Sequence, residues 1–312
     1  MNELFINWIA NTPGYAAPYA LAALGLILCE RAGVLNLTAE GIMLVGALSG
    51  VGATLTMGGY PQLAIIIAMI MASLVSTLFA TMTVLLRVNQ VIAGLAMVFF
   101  CQGLTALLGN LFEWKNQPIT GIGRIDVWPL SEIPVIGHIF FSQDLIVFLI
   151  IPIFYLVNRV LTRSMVGLRL RAVGESPEAS DAAGINVTAY RFLTVMAGSA
   201  LVGLAGAYIS VASTKIWVDG VTAGRGWIAL ALVIFARWRP WRALLGALLF
   251  GAIESAMPRI AAAGIKVPQY FMLMLPYVVT LGVMIWVAWS KRGGATDEPG
   301  ALGQPHVREE RR

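Results

Sequence analysis

Charge is what this chain has least of. Of 312 residues only 12% are Asp, Glu, Lys or Arg, about half the share of an ordinary soluble domain. Apolar residues make up 58%, and mean hydropathy is +0.80. That combination excludes a soluble globular domain, a disordered chain and a collagen-like one. So much apolar surface must face lipid. Cysteine is nearly absent: Cys29 and Cys101 are the whole complement, too few for a disulfide framework or a metal quartet. Both lie in or beside apolar runs and read as small core residues. Histidine is equally scarce (His138 and His306). No HExxH occurs, and no Ser or Cys has a plausible histidine base, which disfavours a membrane-embedded enzyme. No GxxxxGK[ST] occurs either, so the chain has no P-loop for ATP. Residues 1–12 carry no Lys or Arg, so they lack the basic region of a secretory signal, and the first apolar run is expected to stay in the protein. The net charge of +5 fits basic loops on one membrane face better than a nucleic-acid footprint.

A bilayer core needs about 20 apolar residues per helix. Nine segments qualify as candidates: 14–28, 38–57, 62–86, 91–111, 144–161, 190–212, 223–236, 243–257 and 268–290. The pair 223–236 and 243–257 is short and reads as half-helices or an incomplete crossing. The expected fold is all-α, a polytopic transmembrane bundle of about 8–10 spans. Residues 1–13 read as an N-terminal interfacial segment, 14–292 as the transmembrane domain and 293–312 as a disordered tail. With the N-terminus outside, 15 of the 21 basic residues fall on inner loops or the tail, and six fall outside: Lys115, Arg124, Lys215, Arg225, Arg259 and Lys266. This bias favours N-outside, C-inside. Thr38-Ala39-Glu40-Gly41 and Thr222-Ala223-Gly224-Arg225-Gly226 each open an apolar segment that ends in a proline-bearing turn. By this topology they start on opposite faces, as an internal inverted repeat would have it.

Four stretches carry the remaining chemistry. In the inner loop Ser164–Ile185, Ser176 can cap a short helix with Pro177 at its first position and acids in its first turn, and Gly184 can end it. In Glu30–Gly41, a polar, glycine-bearing stretch leads into a span, which is tolerated where backbone is buried or lines a cavity. Asn36, Thr38 and Glu40 there either face a water-filled path or cap a helix. In Gly224–Ala231, the glycines permit close packing or a backbone break. Arg225 either gates the outer end of a path or snorkels to the surface. Arg237, Arg239 and Arg242 read as positive-inside anchors. The outer loop 112–143 is rich in Pro and Gly, and its length suggests function or disorder. Asn89, Gln90 and Gln102, which open or lie in the fourth segment, either line a path or bond between helices. Glu40 and Glu254 are the acids in or beside spans; by position Glu40 lies near the inner surface and Glu254 near the outer end of its segment.

The loop Gly167-Leu168, Arg171-Ala172, Gly174-Glu175, Ala183-Gly184-Ile185 resembles the coupling segment of ABC-importer permeases of the ribose, branched-chain amino-acid and nucleoside family. Glu30-Arg31-Ala32-Gly33-Val34-Leu35-Asn36-Leu37-Thr38-Ala39-Glu40-Gly41 resembles the signature of the nucleoside and simple-sugar branch. Gly224-Arg225-Gly226-Trp227-Ile228-Ala229-Leu230-Ala231 and the later Trp238-Arg239-Pro240 resemble further family stretches, and 129–137 resembles the outer loop of nucleoside-type permeases. The resemblance spans residues 14–290. It implies an importer subunit in the bacterial inner membrane that moves a nucleoside or related riboside or sugar by alternating access. It implies no cofactor in this chain, with ATP and Mg held by a separate ATPase. It implies three protein partners: that ATPase, a second permease and an extracytoplasmic substrate-binding protein. It implies ATPase coupling through Arg171, Gly174, Glu175, Pro177, Glu178, Asp181, Ala182 and Gly184. Candidate path residues are Asn36, Glu40, Asn89, Gln90, Gln102 and Arg225. The competing class is an ion-coupled transporter or channel acting alone.

Overall fold

The computed structural model describes residues 2–126, 128, 137, 141–262 and 298–306, with isolated positions at 271, 274, 278, 281, 282, 285 and 289. The expected span 268–290 and the outer-loop stretch 129–137 therefore lie almost wholly outside the described residues. The helices are α1 (Asn2–Arg31), α2 (Ala39–Thr56), α3 (Pro61–Ala80, continued by a π-helical turn, Thr81–Leu85), α4 (Gln90–Leu111), α5 (Leu145–Arg163), α6 (Met165–Glu175), α7 (Pro177–Ala182), α8 (Val187–Ala207, continued by a π-helical turn, Tyr208–Ser213), α9 (Arg225–Ala236) and α10 (Pro240–Ala262). Seven described helices are long and apolar enough to cross a membrane, and α9 is apolar but short.

Three expectations need correction, and one feature was not anticipated. Residues 2–13 are not a separate interfacial piece: they run straight into the first span as α1, because Pro13 and Pro18 sit within the helix without ending it. The segment expected at 243–257 is not short, since α10 extends over Pro240–Ala262; only α9 is a half-length helix. The outer loop contains a small antiparallel pair, β1 (Arg124–Asp126) with β2 (Ser142–Asp144). The tail is not disordered throughout, for residues 298–306 pack on the protein and Ala301 is 4% exposed.

Helices α1, α2 and α8 form the centre. Their spans are 72%, 78% and 67% buried, against 22% for α5. In lipid no hydrophobic force draws helices together, so small residues that let backbones touch decide the packing. Gly25 on α1 meets Gly198 on α8 this way: a Cβ on either would strike the other's carbonyl oxygen.

The loops sort to two ends. At one end Leu35 N donates to Gln90 Oε1 (2.7 Å), and Arg31 donates to the Trp238 carbonyl (3.2 Å). Arg87, Asp181 and residues 184–188 line a common hollow there with His306. At the other end Gln143 donates to the Ala10 carbonyl (2.7 Å), and Ile119 N donates to the Lys215 carbonyl (3.0 Å). The loops expected inside thus share one end and those expected outside share the other, with the start of α9 as the exception.

Candidate functional site: a coupling face, a mid-span polar cluster and an outer cavity

The first site is the end that carries α6 and α7. Ser164 closes α5 and caps α6, its Oγ accepting from Gly167 N (3.0 Å). Ser176 caps α7 by accepting from Ala179 N (3.3 Å), Pro177 takes the first helical position, and Gly184 (φ 78°) follows the helix in the left-handed region. Asn186 then caps α8 by accepting from Ala189 N (3.0 Å). These are the local signals read from the sequence. Of the eight coupling candidates, Glu175, Glu178, Ala182 and Gly184 are exposed; Arg171, Pro177 and Asp181 are half-buried. Gly174 is buried, and a Cβ there would strike the Arg31 carbonyl. It lets α6 lie against the end of α1 and offers no side chain to a partner.

That end of α1 is bonded across the bundle. Trp238 Nε1 donates to the Glu30 carboxyl, while Arg31 donates to the Trp238 carbonyl. The two family-like stretches 30–41 and 238–240 therefore interlock, a pairing that neither shows alone. Asn36 turns inward: its Oδ1 accepts from Thr38 N (3.1 Å) and from the Thr38 hydroxyl, and its Nδ2 donates to Cys29 Sγ (3.4 Å). Asn89 caps α4 by accepting from Val91 N and Ile92 N, and Gln90 accepts from Leu35 N. Among the described residues, Gln102 is the one path candidate that is exposed on a span and makes no side-chain hydrogen bond.

The second site joins residues expected on opposite faces. The Glu40 carboxyl accepts from the Thr222 hydroxyl (2.6 Å), Gly224 N (2.9 Å) and Gly226 N (2.8 Å). It thereby satisfies the unpaired donors at the start of α9 and meets the positive end of its dipole. Gly226 lies against the Glu40 backbone, where a Cβ would not fit. Arg225 forms an ion pair with Glu254 of α10, and the Tyr19 hydroxyl donates to the same carboxyl (2.8 Å). Tyr19 lies about 18 Å along α1 from Arg31, at 1.5 Å per residue, which is well inside a core about 30 Å thick. Arg225 is therefore ion-paired at depth in the bundle and does not snorkel from its end. Glu40 and Glu254 are not interfacial acids. The starts of α2 and α9 adjoin, and the two helices run away from that level in opposite directions.

The third site is a cavity of about 750 Å3 at the opposite end from α7, lined in part by Asn11, Tyr15, Arg124, Asp144, Tyr208 and Arg259. The π-helical turn brings Tyr208 to Asp144, whose carboxyl accepts from the phenol (2.7 Å) and also caps α5 through Ile146 N and Val147 N. Sequence reading missed this cavity because its walls come from α1, the β pair, α8 and α10. The acid–arginine pair Arg225–Glu254, by contrast, had a signal: two opposite charges in otherwise apolar segments.

The family model described as the branched-chain amino acid transport system permease component matches residues 8–288, and the chain belongs to that family. The nucleoside ABC transporter permease protein NupC of Lactococcus lactis subsp. cremoris is 38% identical over 88% of this chain and 90% of its own. The guanosine ABC transporter permease protein NupQ of Bacillus subtilis is 32% identical over 95% of each. TsgC13 of Haloferax volcanii, provisionally assigned to glucose, is 36% identical over 93% of this chain and 94% of its own. An inward-facing ABC transporter assigned to the metal-chelate type shares the fold at a TM-score of 0.51 and 16% identity, over 91% of this chain and 85% of that one. The protein is thus a multi-pass ABC-transporter permease, and a lone ion-coupled transporter is disfavoured.

Proposed function

We propose that this permease imports a nucleoside or a related riboside or sugar into the bacterial cytoplasm, driven by separate ATPase subunits docked on α7. Two relatives named for nucleosides and one for glucose support a polyhydroxylated solute. The observation that carries the mechanism is α7 itself. It is a capped six-residue helix with Glu178 and Ala182 exposed, held rigidly between α6 and α8. ATP and Mg belong to the ATPase, and this chain does no covalent chemistry. A binding protein delivers solute at the end bearing the outer cavity, and a second permease, most simply a different chain, completes the path. The N-terminus lies outside and the C-terminus inside. Gln102, exposed on α4, is our candidate for that path. Asn36, Glu40, Asn89, Gln90 and Arg225 act on it through the backbone that they hold.

Glu178→Arg with Ala182→Trp tests the docking. We expect normal membrane insertion, at least tenfold less ATPase co-purifying and a matching loss of solute uptake; wild-type co-purification and uptake would refute it. Uptake that survives ATP depletion but collapses with the ion gradient would restore the competing class.

A further inference from the structure

Residues 298–306 lie some 120 positions beyond α7 in sequence, yet they pack beside it. Three of their backbone N–H groups donate to the protein: Gly300 to Glu175 Oε2 (3.2 Å), Ala301 to the Gly174 carbonyl (2.9 Å) and Gly303 to the Gly33 carbonyl (3.2 Å). Arg191 of α8, itself 3% exposed, donates from Nη1 to the Gln304 carbonyl (2.8 Å) and from Nε to the Ala32 carbonyl (3.2 Å). One buried guanidinium therefore ties the segment to the α1–α2 turn. Ala301 is buried, and Leu302 packs against the core. These bonds use the segment's main chain and leave the Gln304 and Pro305 side chains exposed.

Those side chains border a cleft of about 180 Å3 whose other wall is Glu175, Ser176, Pro177 and Glu178. Its lining carries the Glu175 and Glu178 carboxyls and His306, whose pKa is lowered by desolvation, with no Lys or Arg. A subunit that covers the exposed side of α7 cannot avoid the segment that walls the same cleft. Charge complementarity asks that subunit for a cationic side chain there.

We propose that residues 298–306 form a strap that is the second half of the ATPase docking surface, and that the cleft between strap and α7 receives a basic side chain of the ATPase. This rests on the docking assignment made for α7, so the test separates the two. Cys29 and Cys101 are buried, which leaves an introduced surface thiol as the accessible one among the described residues. In the full complex, Gln304→Cys and, separately, Glu178→Cys are labelled with a photoreactive maleimide and irradiated. Capture of the ATPase from both positions is expected. Capture from Glu178→Cys alone overturns the strap and leaves α7 standing. Capture from neither overturns both. Capture from Gln304→Cys alone overturns the α7 assignment and, with it, the shared cleft. As a second variant, Gln304→Lys keeps the main-chain bonds and places a cation at the cleft. We expect ATPase co-purification to fall at least tenfold at unchanged permease yield. Unchanged co-purification overturns the proposal.

Discussion

At the scale of single residues, several polar groups inside the bundle bond to one another and shape the backbone around them. Glu40 holds the start of α9, while Arg225 neutralises Glu254, to which the Tyr19 hydroxyl also donates. Removing one member of such a pair leaves a largely buried charge without its counter-ion, which costs about 3–5 kcal/mol, whereas removing both costs far less. Arg225→Gln and Glu254→Gln are therefore each expected to destabilise the purified permease by about that amount. The double variant is expected to recover most of the loss; thermal unfolding in detergent measures all three. At the aqueous end, His306 titrates below the ordinary imidazole value. Desolvation is the main cause, with Arg191 and Arg87 adding to it and Asp181 and Glu178 opposing. A histidine whose folded pKa is lowered supports the packed state fully above its unfolded value of about 6.5 and loses that support as pH falls toward the folded value. Amide exchange in 298–306, corrected for intrinsic rates, is expected to quicken between pH 7.5 and 5.5. His306→Gln should flatten that dependence.

At the scale of elements, local signals and long-range packing divide the work. Ser176, Pro177 and Gly184 mark α7 in the sequence because caps are local chemistry. The half-length of α9 was also legible, since Thr222–Gly226 and Arg237 bound 12 residues. The level at which α9 starts was not, because it depends on Glu40, more than 180 residues away. Likewise α10 reads as short when Trp241, Arg242, Pro258 and Arg259 are counted against it. Arg259 donates to the Asn7 carbonyl (2.8 Å) and Trp8 donates to the Ala252 carbonyl (2.7 Å), so the C-terminal half of α10 is carried by α1. The close crossing between α1 and α8 makes a sharp prediction. Gly198→Leu must push α8 off the Gly25 backbone, at about 3 kcal/mol or more, the upper range for overpacking. Loss of folded permease in fluorescence-detected gel filtration is expected, while Gly103→Leu on the open face of α4 should be tolerated.

At the scale of the whole molecule, the two ends differ in character: one bears α7 and the strap, the other the large polar cavity. With the proposed orientation, an impermeant thiol reagent is expected to reach Gly123→Cys in intact cells and Glu175→Cys only after permeabilisation. The reverse pattern would invert the assignment. Composition alone determined that the chain is a membrane bundle, because apolar surface on this scale has no other solvent. Spacing of apolar runs and caps determined most helices, because both are set by neighbours within a turn or two. The tertiary structure decided which polar residues meet. Hydrogen-bond partners such as Glu40 with Gly224, Trp238 with Glu30 and Ala301 with Gly174 are fixed by how helices cross. A tail that composition marks as disordered is ordered at 298–306 because its backbone donors find carbonyls that packing had left exposed at the end of α6 and in the α1–α2 turn.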